Sequence, residues 1–196
     1  MDNETASSPF DETRRTVLDE MRRTLNRVSC EEVEALVREV SEGGRIFVAG
    51  AGRTGLVMRG FAMRLAQLGL RVHVVGETTT PAVRSGDLLL IGSGSGVTER
   101  LVHYAGNAVE TGARVAIATA DPGSPAARLA DLVVFIPAPT PKSSKKSGGQ
   151  GLRSRQPMAT LFEQSLGVML DACVMLLMSR LDETERDMFA RHANLE

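Results

Sequence analysis

The spacing of apolar residues changes at Arg45. Before it, charged and apolar positions alternate at helical spacing: Val17, Met21, Leu25 and Val28 form one stripe, and Val33, Leu36, Val37 and Val40 a second. Ser29, with Glu32 three residues on, fits an N-cap. Gly43-Gly44 closes the second helix. The charge on the outer faces reads as solvated surface.

After Arg45 come short Val/Ile/Leu-rich runs: "RIFVAG", "RVHVVG", "DLLLIG", "RVAIAT" and "LVVFIP". Helical patterns separate them: "TGLVMRGFAMRLAQLG" up to Gly69, a stretch from Val97 to Thr111, and the short "SPAARLA". Such runs predict an α/β fold, a three-layer αβα sandwich around a parallel sheet of five strands. Ligands of such sheets lie at the carboxyl ends of the strands. Residues 138–156, "APTPKSSKKSGGQGLRSRQ", are rich in Ser, Lys, Gly and Pro and read as a flexible loop. A long apolar helix follows Pro157 to about Leu181, then a short helix and the tail "RHANLE". The chain thus divides into a helical arm (1–42), a sheet core (43–137), the loop (138–156) and carboxyl-terminal helices (157–196), all in one domain.

Composition narrows the function. With 196 residues, a net charge of −1, no tryptophan and few aromatics, the chain is expected to have no broad attraction to nucleic acid and little for base stacking. Cys30 and Cys173 have no metal-ligand spacing and read as reduced thiols of a cytoplasmic protein. The start, "MDNETASSPFDETRR", is too acidic and polar for a signal peptide. The most apolar run, "SLGVMLDACVMLLM", is shorter than a membrane span and contains Asp171. No membrane association is expected.

Two glycine loops carry the chemistry. Gly50, Gly52 and Gly55 in "GAGRTG" fit the dinucleotide pattern G-x-G-x-x-G, and Glu77 lies about 20 residues further on, where a ribose acid would be wanted. That pattern alone leaves NAD and a phosphate ester equally possible. The third apolar run ends in "IGSGSGVTER", which brings Ser93, Ser95 and Thr98 to the start of a helix with Gly94 and Gly96 between them. A dinucleotide needs no such second cradle, whereas hydroxyls and backbone N–H groups can wrap a terminal phosphate. After the sheet, one long helix and a tail leave no room for a dehydrogenase's substrate domain.

"GAGRTG" followed by "SGSGVTE" resembles the sugar isomerase (SIS) domain. With "FAMRLAQLGLRVHVVGETTTP", "PMATLFEQ" and the tail "RHANLE", the likeness narrows to the 6-phospho-3-hexuloisomerases. It covers the chain from about Arg45 onward. The resemblance implies interconversion of 3-hexulose 6-phosphate and fructose 6-phosphate, in the ribulose monophosphate route of formaldehyde fixation or in pentose synthesis run in reverse. It also implies a homotetramer with sites at subunit interfaces, and no cofactor. Carried over to this chain, it puts substrate phosphate at Ser93, Gly94, Ser95, Gly96 and Thr98, and sugar and phosphate against Arg53 and Thr54. Thr54 replaces the family's common Ser, Ala159 a common Gly, and the 138–156 loop is longer than usual.

For catalysis, Glu163 stands near the amino end of the last long helix among Leu161, Phe162 and Leu166. Its position fits a general base or a helix-terminal acid equally well. The resemblance favours the base. His192 in the tail suits proton traffic, because imidazoles titrate near neutral pH. By position alone it reads as an exposed terminal histidine, and it could complete a neighbouring subunit's site. His73 and His103 are assigned no role. Two alternatives stay open: a non-catalytic sugar-phosphate-binding SIS module, and another phosphosugar isomerase. Some of the latter use zinc, and no metal-ligand cluster is spaced for it here.

Overall fold

A computed structural model of the chain describes residues 8–141 and 153–194. The middle of the predicted 138–156 loop, residues 142–152, lies outside the described residues, as do Leu195 and Glu196 of the tail.

Two helices, α1 (Pro9–Leu25) and α2 (Cys30–Glu42), precede the sheet. Then come β1 (Ile46–Gly50), α3 (Gly52–Gln67), β2 (Val72–Val74), β3 (Leu88–Gly92), α4 (Glu99–Glu110), β4 (Arg114–Thr119), a single 3₁₀ turn (Ala127–Leu129) and β5 (Leu132–Phe135). The chain ends with α5 (Thr160–Leu181) and α6 (Glu185–Ala190). All strands are parallel, in the order β2-β1-β3-β4-β5.

The alternation of side chains along each strand divides the core in two. Ile46, Val48, Leu88 and Leu90 face the layer containing α2, α3 and α5. Phe47, Ala49, Leu89 and Ile91 face α4 and the 3₁₀ turn. The second layer is thinner. The crossover from β2 to β3, residues 75–87, contains no helix and covers its part of the sheet with Val75 and Val83. The run "RVHVVG" accordingly yields only three paired residues, and "SPAARLA" only the 3₁₀ turn.

α5 is 22 residues long and apolar enough, by length and composition, to cross a membrane, but half of its most apolar window is buried within the fold. It packs on α1, α2 and α3. Cys173 is buried on it, and burial pushes its thiol up to about 12. Ser29 caps α2 as expected, accepting the Glu32 N–H at 3.3 Å. The Glu32 carboxylate instead accepts the N–H of Phe135 on β5, at 2.8 Å.

Candidate active site

β1 and β3 are neighbours, and Gly50 and Gly92 are register partners at their carboxyl ends. Here the chain order reverses across the sheet, at the switch point where α/β folds bind ligands. The loops leaving these two glycines meet at a cleft of about 190 Å³.

The first loop is a close-packed turn. A Cβ on Gly50 would sit 2.9 Å from Gly55 Cα, so these two glycines let α3 start directly against β1. Gly52 has φ +57, with nothing near its would-be Cβ. It is glycine for backbone reasons alone.

The second loop is held by its carbonyls. Gly94 O accepts the Ala120 N–H at 3.0 Å, and Gly96 O accepts the Ala126 N–H at 3.1 Å. Trans peptides point C=O and N–H in opposite directions. The following amide of Ser95 is therefore turned away from Ala120, and the Val97 N–H meets Ser95 Oγ at 3.5 Å. Ser93 Oγ accepts the Gly96 N–H at 3.1 Å and tightens the turn. Gly96 has φ +61, and a Cβ there would lie 1.9 Å from Ser124 Oγ.

Helices α3, α4 and α5 all begin at the cleft. Their N-cap residues, Ala51, Thr98 and Ala159, line it, and none makes a side-chain cap hydrogen bond. The three remaining helices are capped by Ser8, Ser29 and Thr184. Helix amino ends carry partial positive charge and unpaired N–H donors. Three of them left uncapped around one cleft form a site for an anion.

Thr54, Ser93, Gly94, Ser95, Thr98 and Glu163 line the cleft. Gly96 lies behind it, against Ser124. Arg53 sits on an adjoining groove that shares Glu163, and its Nε is 2.8 Å from Glu163 Oε2. The Glu163 side chain is only 14% exposed, that of Arg53 64%. Among the described residues, no group of three His, Cys, Asp or Glu side chains could hold a metal ion.

His192 is not in this cleft. It follows α6, beside Phe189, at a ring separation of 6.1 Å. Its neighbour Arg191 donates to Gln67 O, at the far end of α3 from Thr54, at 2.9 Å. At about 1.5 Å per residue the intervening helix carries Gln67 roughly 20 Å from Thr54, so Arg191 and the adjoining His192 stand towards the end of α3 away from the cleft. His73 stacks on Phe47 with ring centroids 5.2 Å apart. His103 is exposed beside Asn107. Glu77 pairs with Arg59 on α3.

Met158, at the cleft wall, has φ +57 and is not glycine. Such a backbone costs about 1–3 kcal/mol and persists only where its surroundings hold it. The segment that leads into it is tied to a group that the sequence pattern hides. Glu20 of α1, 4% exposed, accepts from Ser154 Oγ at 2.7 Å, Arg155 N at 2.8 Å and Gln156 Nε2 at 3.0 Å. Burial pushes its carboxyl up, but these hydrogen bonds outweigh it and hold the group below the usual range. The outer-face reading of the charge on α1 fails at Glu20.

A family model for the SIS domain matches residues 39–166. A 3-hexulose-6-phosphate isomerase of Mycobacterium gastri is 48% identical over 180 residues, 92% of this chain and 88% of that protein. One from Bacillus subtilis (strain 168) is 39% identical over 92% of this chain and 95% of that protein. A crystal structure of a hypothetical protein from Methanococcus jannaschii, from which a 3-hexulose-6-phosphate isomerase function was inferred, superposes with a TM-score of 0.80 at 30% identity, covering 94% of this chain and 99% of that one. The cleft thus lies where the sequence likeness and the structural likeness coincide, and the chain belongs to the SIS domain family.

Proposed function

We propose that this protein interconverts 3-hexulose 6-phosphate and fructose 6-phosphate. The observation that carries the reading is the convergence of three uncapped helix amino ends on one cleft with Glu163 at its edge. The amides and hydroxyls of Ser93–Thr98 take the phosphate, and Thr54 faces it from α3. The sugar then extends towards Glu163 and Arg53.

The reaction is an internal exchange of oxidation state. Glu163 removes the proton from C2 of the 3-hexulose, and the C2–H electrons become the C2=C3 double bond of an enediol. Proton return at C3 gives the ketone at C2. Arg53 stabilises negative charge on the enediolate oxygens. His192 of a neighbouring copy moves protons between those oxygens, because its own chain's cleft is out of its reach. Carbon 2 is oxidised and carbon 3 reduced, so no electron carrier is consumed.

A homotetramer follows from the same reading. Met175, Leu176 and Val168 on α5 are 72%, 46% and 44% exposed. An apolar helix with so much open surface is covered by other copies. We place the enzyme in the cytoplasm and in the ribulose monophosphate route.

The test is fructose 6-phosphate in deuterated water, followed by NMR. Deuterium entering C3, with 3-hexulose appearing, is the expected result. Exchange at C1 identifies an aldose–ketose isomerase instead. Binding without exchange identifies a sensor.

A further inference from the structure

We propose that Glu20 is a positioning residue for the isomerase site, acting from a helix outside the sheet. This rests on the isomerase reading above. The reasoning starts from the geometry of residues 153–163. This segment runs into the Met158 turn and then into α5, whose first turn carries Glu163. The turn is backbone-strained and exposed: Met158 is 78% accessible, so packing of its own side chain does not hold it. The constraint comes from the three residues just before Pro157. All of them bond to one buried carboxylate: Ser154 through its hydroxyl, Arg155 through its amide and Gln156 through its side-chain amide. Ser154 Oγ also accepts the Gln156 N–H at 3.0 Å, which closes the cluster.

Glu20 is fixed in turn. α1 packs along α5, and its next residue, Met21, lines the groove that contains Arg53 and Glu163. The carboxylate therefore ties the entry of α5 to the helix that flanks its base. Only an ionised carboxylate accepts from all three donors at once, since an amide in its place turns an NH₂ towards one of them. The Ser93–Thr98 loop leaves β3 and meets this clamp at the amino end of α5, which lines the same cleft.

The experiment measures kcat and KM separately for wild type, Glu20→Gln and Ser154→Ala, with a thermal melt of each. Small misplacements of a catalytic group cost up to about 10²-fold in rate. Glu20→Gln should lower kcat by about 10- to 100-fold and raise KM by a smaller factor, since the amino end of α5 also faces the phosphate. Ser154→Ala, which removes one donor of three, should show the same split with a smaller loss. Hydrogen exchange at the Arg155 amide should rise in Glu20→Gln. A folded Glu20→Gln protein with wild-type kcat overturns the proposal, as does a lowered melting temperature with both constants unchanged. A KM rise at constant kcat overturns it too, since the strap would then serve binding alone. Absence of turnover in the wild type would remove the isomerase reading itself, which separates the two failures.

Discussion

Arg53 Nε and Glu163 Oε2 lie 2.8 Å apart and join the first turn of α3 to the first turn of α5. Residues 110 positions apart in sequence thus present a guanidinium and a carboxylate side by side, and on the proposed mechanism the carboxylate is the base. Glu163→Gln keeps the shape and removes the base. Deuterium incorporation at C3 should fall on the order of 10²–10⁴-fold, the range for a lost general base. Arg53→Met should cost on the order of 10²-fold in kcat, as for one lost stabiliser of a developing oxyanion. Unchanged exchange in Glu163→Gln assigns the base elsewhere.

The glycines separate backbone need from space. Gly52→Ala meets only an unfavourable φ and should cost about 1–2 kcal/mol. Gly96→Ala adds a 1.9 Å collision with Ser124 Oγ, so it should cost roughly 2–5 kcal/mol and loosen the phosphate loop. Gly106, inside α4 with open space around it, is the control: Gly106→Ala should stabilise by about 0.5–1 kcal/mol. Denaturant melts rank the three. Equal losses at positions 52 and 96 would mean that the Ser124 contact yields freely.

Glu163 pairs with the first turn of α3 and Arg191, next to His192, with its last residue, so on the proposed mechanism a complete site takes His192 and Glu163 from different copies. Pure His192→Asn and pure Glu163→Gln proteins should each be impaired. Mixing them under conditions of subunit exchange should restore part of the activity, because some mixed sites receive both native side chains. If native mass spectrometry shows hybrid oligomers and the activity stays flat, His192 is not shared between copies.

Asp87 sets an acid limit on stability. It accepts from Arg45 Nη2 and Arg84 N at 2.7 Å each, at the amino end of β3. Burial pushes its carboxyl up, but the Arg45 and Arg84 hydrogen bonds outweigh this and hold it below the usual carboxylate range. A depressed folded value contributes stability that is present above the unfolded value, near 3.9, and is lost as pH falls through the folded one. Melting temperature should therefore drop below about pH 4. Asp87→Asn should be less stable at neutral pH and show a shallower acid limb. Parallel acid limbs in the two proteins would assign the effect to other carboxylates.

Much of this was legible in the chain. "RVAIAT" is β4 residue for residue, and "DLLLIG" and "RIFVAG" contain β3 and β1. These central strands are buried on both sides, so their apolar runs are uninterrupted. That Ser93, Gly94, Ser95 and Thr98 line a cleft was legible because glycine and hydroxyl residues stood together at a strand end. β2 shrank because it is an edge strand whose continuation, "GETTTP", cannot pair. Glu20 was illegible for a different reason. Its partners are 134, 135 and 136 residues away, in a polar stretch, and an acid among acids and arginines on an amphipathic helix has no local mark. Met158 and Ala159 lay inside a recognised motif, but the left-handed turn between proline and helix has no compositional sign.

The uncapped starts of α3, α4 and α5 have a cost while the cleft is empty. Three like poles aimed at one spot repel one another; Glu99 and Glu163 in the first turns of α4 and α5 oppose that repulsion, and a bound anion opposes it further. Plain inorganic phosphate should therefore act as a structural brace, drawing the amino half of the chain and its last long helix together around itself. At about 100 times its dissociation constant it should add about 2.7 kcal/mol to the unfolding free energy. The substrate's ester group, on this view, completes the folding of the protein that transforms its other end.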